Sequence, residues 1–148
     1  MLKLVIAARN GEDSGGLLTS NGREQSLKLA KAIESEVSGF EKIVLLSSLE
    51  RSAVETAQII GDQLCIKSGP CVELLARGRC SGEMQSEAIL KMAGDCDVVI
   101  AVTHFLAPLA IMDAFSSKFF EEELKCREIK KGEAISFSLK SGKVSYLP

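Results

Sequence analysis

Short continuous apolar runs alternate with amphipathic stretches along the whole chain. The runs at 2–8 (LKLVIAA), 42–48 (KIVLLSS) and, most clearly, 96–103 (CDVVIAVT) are bounded by charge, glycine or turn residues. Runs of this length and kind predict strands buried on both faces. A weaker run at 70–75 (PCVELL) predicts one more strand. Between the runs, apolar positions recur at three- and four-residue spacing, the mark of a helix with one buried stripe. Leu27, Ala30, Ile33 and Val37 give a helix over 23–37, ended by Ser38-Gly39. Ala53, Ala57, Ile60 and Leu64 give a second over 50–64. Two more are expected over 83–94, closed by Gly94, and over 107–117, with Pro108 in the first turn. Residues 12–22 and 76–82 read as loops. Alternating Ile135, Phe137 and Leu139 with a Ser141-Gly142 turn predict a hairpin over 132–148. The charged segment 118–131 (KFFEEELKCREIKK) reads as an amphipathic helix, its apolar side turned to the core or to a partner.

Strands alternating with helices argue an α/β fold: a three-layer sandwich, a mostly parallel sheet with helices on both faces. The 148 residues suit a single domain over 1–148, with no repeats and no linker. A chain of this size buries roughly 70% of its unfolded surface and needs no staples. At 46% apolar and 26% charged it has an ordinary globular composition. A net charge of −2 gives no electrostatic case for nucleic acid or an anionic membrane as partner. The N-terminal apolar run is too short for a signal peptide or a membrane span. The five cysteines (Cys65, Cys71, Cys80, Cys96 and Cys126) include no CxxC pair, and the one histidine, His104, is remote from them in sequence. Free thiols in a reducing cytoplasm are the reading, with neither a disulfide frame nor a metal site, and no cofactor is called for.

Ligands of such sheets bind beyond the carboxyl ends of the strands. Two stretches fall there: Arg9-Asn10-Gly11 after the first strand, and Thr103-His104 after the 96–103 strand. Arg9 carries a fixed charge and a planar fork of donors suited to phosphate or carboxylate. Gly11 allows a sharp turn or a close approach to a ligand. His104 can donate to an anion, and a strand–helix junction follows it. An anion pocket is one reading; a structural ion pair at Arg9 and a structural histidine beside Phe105 are the other.

The order LVIAARNGE, LTSNGREQSLKLAKAI, IVLLSSLERSAVETAQII and DVVIAVTHF resembles the histidine phosphatase superfamily, the phosphoglycerate mutase-like fold. That pattern opens with Arg-His-Gly-Glu after a strand. Leu-Thr-x-x-Gly-x-x-Gln and Ser-Ser-Pro-x-x-Arg-Ala-x-x-Thr-Ala follow, and a second His ends a later strand. Arg9, Gly11, Glu12, Leu18, Thr19, Gly22, Gln25, Ser47, Ser48, Ala53, Thr56, Ala57 and His104 match it. The small size is similar to the short phosphohistidine-phosphatase branch.

The departures carry the functional expectation. Asn10 stands where the resemblance places the nucleophilic histidine. An amide nitrogen has its lone pair delocalised and cannot take a phosphoryl group, although its NH₂ can hydrogen-bond a phosphate oxygen. Ser52 stands at the phosphate-binding Arg, with Arg51 one residue early, about 100° away around a helix. Leu49 replaces the proline, Phe105 follows the second His where Gly is frequent, and Glu83 is a poor match for a general acid. The resemblance with these departures implies no secure catalytic residue, and an anion site drawn from Arg9, Asn10, His104 and Arg51. The expected function is non-catalytic binding of a phosphorylated or anionic small molecule or protein. The alternatives are an active phosphatase with a rearranged site and an interaction protein with a vestigial pocket.

Overall fold

The central strands form because their residues are β-branched or small and apolar, and they pack on both faces. A computed structural model describes residues 1–74, 81–122, 124 and 126–148. In chain order the elements are β1 (Leu4–Arg9), β2 (Asp13–Ser14), β3 (Leu17–Leu18), α1 (Ser20–Glu36), β4 (Ile43–Ser47), α2 (Arg51–Leu64) and β5 (Ser68–Pro70). There follow α3 (Gly82–Ala93), β6 (Val98–Thr103), α4 (Ala107–Phe120), β7 (Ala134–Ser138) and β8 (Val144–Leu147). Six strands make one sheet in the order β5-β4-β6-β1-β7-β8. The first four are parallel; β7 runs antiparallel to β1, and β8 antiparallel to β7.

Side-chain alternation divides the core into two layers. Leu4, Ile6 and Ala8 of β1, with Val98, Ile100 and Val102 of β6, meet Leu29 and Ile33 of α1 and Ala53, Ala57 and Ile60 of α2. Val5 and Ala7, with Val99 and Ala101, meet Ile89 of α3 and Ile111, Met112 and Phe115 of α4. The three-layer α/β sandwich with helices on both faces is therefore what the chain forms. Among the described residues no helix is long and apolar enough to cross a membrane.

Several expected boundaries move. Helix α1 starts at Ser20, because Thr19 caps it by accepting a hydrogen bond from the Gly22 amide. Its buried stripe uses Ser26 and Leu29, while Leu27 is exposed. The expected strand over 70–75 is displaced: β5 ends at Pro70, and Val72–Leu74 form a 3-10 turn. Helix α4 runs on to Phe120 and ends with Glu121 in the left-handed region. No helix covers 121–131 among the described residues, which corrects the amphipathic helix expected over 118–131. Most of the loop expected over 76–82 lies outside the described residues, as does Cys80.

Candidate functional site

Sheet order brings the site together. Strand β6 lies between β4 and β1, with Thr103 level with Arg9 and Val102 level with Ser47. The next residue of each strand is Ser48, His104 or Asn10, so these three stand side by side at one edge of the sheet. Neighbouring strands are about 4.8 Å apart, within side-chain hydrogen-bonding reach.

Asn10 is 4% exposed and His104 8%. The Asn10 Nδ2 donates to the Gly11 carbonyl at 2.9 Å and to Asp13 Oδ1 at 3.4 Å. Both partners only accept, which orients the amide and turns its oxygen toward His104. His104 Nδ1 lies 3.2 Å from Asn10 Oδ1 and 3.6 Å from Glu50 Oε2. Two acceptors there make Nδ1 the protonated nitrogen. His104 Nε2 hydrogen-bonds Ser48 Oγ, so in the neutral ring its lone pair accepts from the serine hydroxyl. The Asn10 amide nitrogen thus donates to Gly11 and Asp13, and both ring nitrogens of His104 are engaged. Ser48 has the hydrogen-bonding of a serine paired with a base, but it is fully buried.

Arg9 is half-buried beside this group. Its Nη1 donates to the Ile129 carbonyl at 3.0 Å, and its guanidinium lies 5.2 Å from the centroid of the Phe105 ring, within the range of a cation–π contact. Its Nε is buried and has no hydrogen-bond partner. Phe105 follows His104 with φ +46°, in the left-handed region. That conformation costs a residue with a Cβ roughly 1–2 kcal/mol, and glycine avoids the cost.

The matched residues outside this group serve the fold. A Cβ on Gly11 would come within 2.5 Å of the Gly22 carbonyl oxygen, and one on Gly22 within 2.0 Å of the Glu12 carbonyl oxygen. The two glycines let the end of β1 seat against the start of α1. Gly11 thus makes room for a helix. Its amide donates to Thr56 Oγ1 at 3.1 Å, and the Glu12 amide donates to Gln25 Oε1 at 2.9 Å. The Glu12 carboxylate accepts from Thr19 Oγ1 and Asn21 Nδ2. Glu12 therefore does not neutralise Arg9, a pairing the sequence left open.

Arg51 is exposed on the first turn of α2 and makes no polar or ring contact with Arg9, Asn10 or His104. Ser52 is buried one position further on. Arg51 thus follows directly after Glu50, the residue whose carboxylate faces His104. Sequence reasoning missed Ser48 and Glu50 as partners of His104, since their meeting depends on strand order. It also missed Lys131, whose Nζ sits 2.8 Å from Asp13 Oδ1. That ammonium, followed by the Asn10 amide, holds the Asp13 carboxyl below the usual carboxylate range. The stability it lends is present above the unfolded carboxyl value and is lost as pH falls through the lower folded value, below about pH 4. Lys131→Met should raise the Asp13 pKa toward its ordinary value, read by a carbon-detected NMR titration of the carboxyl.

Among the described residues four cysteines are free: Cys65, Cys71, Cys96 and Cys126. Cys71 follows β5, and its amide donates to the Ser47 carbonyl, so one thiol does stand near these strand ends, which the sequence did not indicate. Burial, followed by its hydrogen bond to Glu73, pushes that thiol up to about 11, which leaves it protonated and unreactive at neutral pH. Among the described residues no group of three or more His, Cys, Asp or Glu could hold a metal ion.

Solved structures of known proteins share this architecture. A protein histidine phosphatase SixA complexed with tungstate superimposes with a TM-score of 0.68 at 18% identity, over 97% of this chain and 93% of that one. A mutant phosphoserine phosphatase from Entamoeba histolytica, in complex with phosphoserine, gives 0.67 at 14% identity, over 98% and 95%. A mycobacterial glucosyl-3-phosphoglycerate phosphatase gives 0.64 at 12% identity, over 97% and 96%. No protein-family model and no curated protein sequence matches the chain. The fold is therefore that of the histidine phosphatases, the phosphoglycerate mutase-like fold, over the whole chain. At these identities the likeness establishes architecture and leaves activity to the site.

Proposed function

We propose that this chain binds a phosphorylated or otherwise anionic ligand, small molecule or protein group, and does not carry out phosphoryl transfer. The observation behind this reading is Asn10. It stands at the end of β1, buried, with its amide hydrogens directed to Gly11 and Asp13 and its oxygen to His104. A carboxamide so held is a brace for the imidazole, not a nucleophile. An active phosphatase working through His104 Nε2 would first have to break the Ser48 bond at that nitrogen.

The anion is met in this reading by Arg9; His104 reaches it only through an Nε2–H that exchanges the Ser48 bond for the ligand, while Asn10 positions the ring at Nδ1. Arg9 suits the role because Nη1 to Ile129 is the only hydrogen bond of its side chain among the described residues, leaving further donors of the fork for a ligand. The test is a titration of inorganic phosphate against the backbone amide shifts, with Arg9→Ala in parallel. Saturable shifts at Arg9, Asn10 and His104, lost in Arg9→Ala, are expected. Absence of any localised shift would favour an interaction protein with a vestigial pocket.

A further inference from the structure

Phe105 is the one site residue that goes against local backbone preference and gains no burial in return. It is 57% exposed in a left-handed conformation, directly after the buried His104. Strain kept at a site without a packing benefit points to a role there. The ring also carries the Arg9 guanidinium at 5.2 Å from its centroid, so the aromatic group and the fixed cation form one surface. Leu106, which follows Phe105, and Leu49, which follows Ser48, are 47% and 51% exposed. Polar groups thus lie at the bottom of the site, and large apolar side chains stand exposed beside them.

From this arrangement we infer that Phe105 is a specificity-determining residue, and that the ligand is a phosphate ester of an aromatic group. The inference rests on the anion-binding reading above and adds the ligand class to it. The phosphate oxygens would lie toward Arg9 and His104. The ester's ring would stack on or against the edge of Phe105, the offset and edge-to-face arrangements that aromatic pairs prefer. A small or hydrophilic ester would gain nothing from the exposed ring. Glycine at position 105 would remove the backbone strain and the platform together, which separates the two properties experimentally.

The experiment compares phenyl phosphate with methyl phosphate by amide-shift titration on the whole chain, with inorganic phosphate as a reference. Wild type should bind phenyl phosphate about five- to tenfold more tightly than methyl phosphate, the size of an aromatic pair. Phe105→Tyr should keep that ratio. Phe105→Gly should bring it close to one, and it is expected to fold because glycine is at home at this φ. The ratio is taken between two esters on the same variant, so an overall weakening of binding does not imitate the result. A wild-type ratio near one with phosphate still bound, or a ratio that survives in Phe105→Gly, would overturn the inference and leave the anion-binding reading standing. No binding of any of the three would overturn both.

Discussion

Gly22→Ala lowers stability by about 3 kcal/mol, a fall of roughly 6–12 °C in the thermal midpoint of a domain this size. Helix propensity alone argues the opposite, since alanine is favoured over glycine in a helix interior by about 1 kcal/mol. Sterics outweigh it. The new Cβ would lie 2.0 Å from the Glu12 carbonyl oxygen and 3.0 Å from the Glu12 amide nitrogen. Both are backbone atoms, so no flexible side chain can move aside. The loop over 10–12 would have to lift from α1, losing the Gly11 bond to Thr56 and the Glu12 bond to Gln25. Because that loop carries Asn10, phosphate binding should weaken as well. Gly69→Ala is the control, with nothing within 4 Å of its added Cβ, and should change stability by less than about 0.5 kcal/mol. Thermal and chemical denaturation of the two variants check this.

His104→Ala should cost a similar amount, about 3 kcal/mol, and abolish the response to phosphate. The ring is buried and links three elements: Ser48 after β4, Asn10 after β1 and Glu50 at the start of α2. Its removal leaves a void and strands the Ser48 hydroxyl and the Asn10 carbonyl oxygen without it. Buried polar atoms without partners cost about 1–3 kcal/mol each before relaxation. His104→Gln keeps polar atoms in the space and should recover part of the stability. Denaturation curves of the two variants, beside the phosphate titration, separate the structural role of the ring from its role toward the anion.

Strands β1 and β6 were legible in the sequence because both faces are buried and no polar residue interrupts their runs. Helix α2 was legible from Ala53, Ala57 and Ile60, which all reach the core. The reading failed where three-dimensional context overrides pattern. Leu27 fits the helical spacing, yet the α1 stripe turns toward Ser26 and Leu29. Phe119 and Phe120 extend α4, where charge suggested a separate helix. At the site, Arg9, Asn10 and His104 were legible because each follows an apolar run. Their partners were not. Ser48 and Glu50 reach His104 only because β6 inserts between β4 and β1, and nothing local in the sequence encodes that order. The amide of Asn10, expected to be available to a phosphate oxygen, is directed to the Gly11 carbonyl and the Asp13 carboxylate.

The measurement that tests the central claim most directly is a phosphoryl-transfer assay on the purified chain. Phosphohistidine-bearing protein and p-nitrophenyl phosphate would be offered at concentrations that saturate the amide-shift response to phosphate. Binding without transfer predicts no phosphorylated form of the chain in intact-mass spectra and phosphate release no faster than in buffer. Phosphate release by wild type that disappears in both Arg9→Ala and His104→Gln would contradict the account and make this site a working phosphatase.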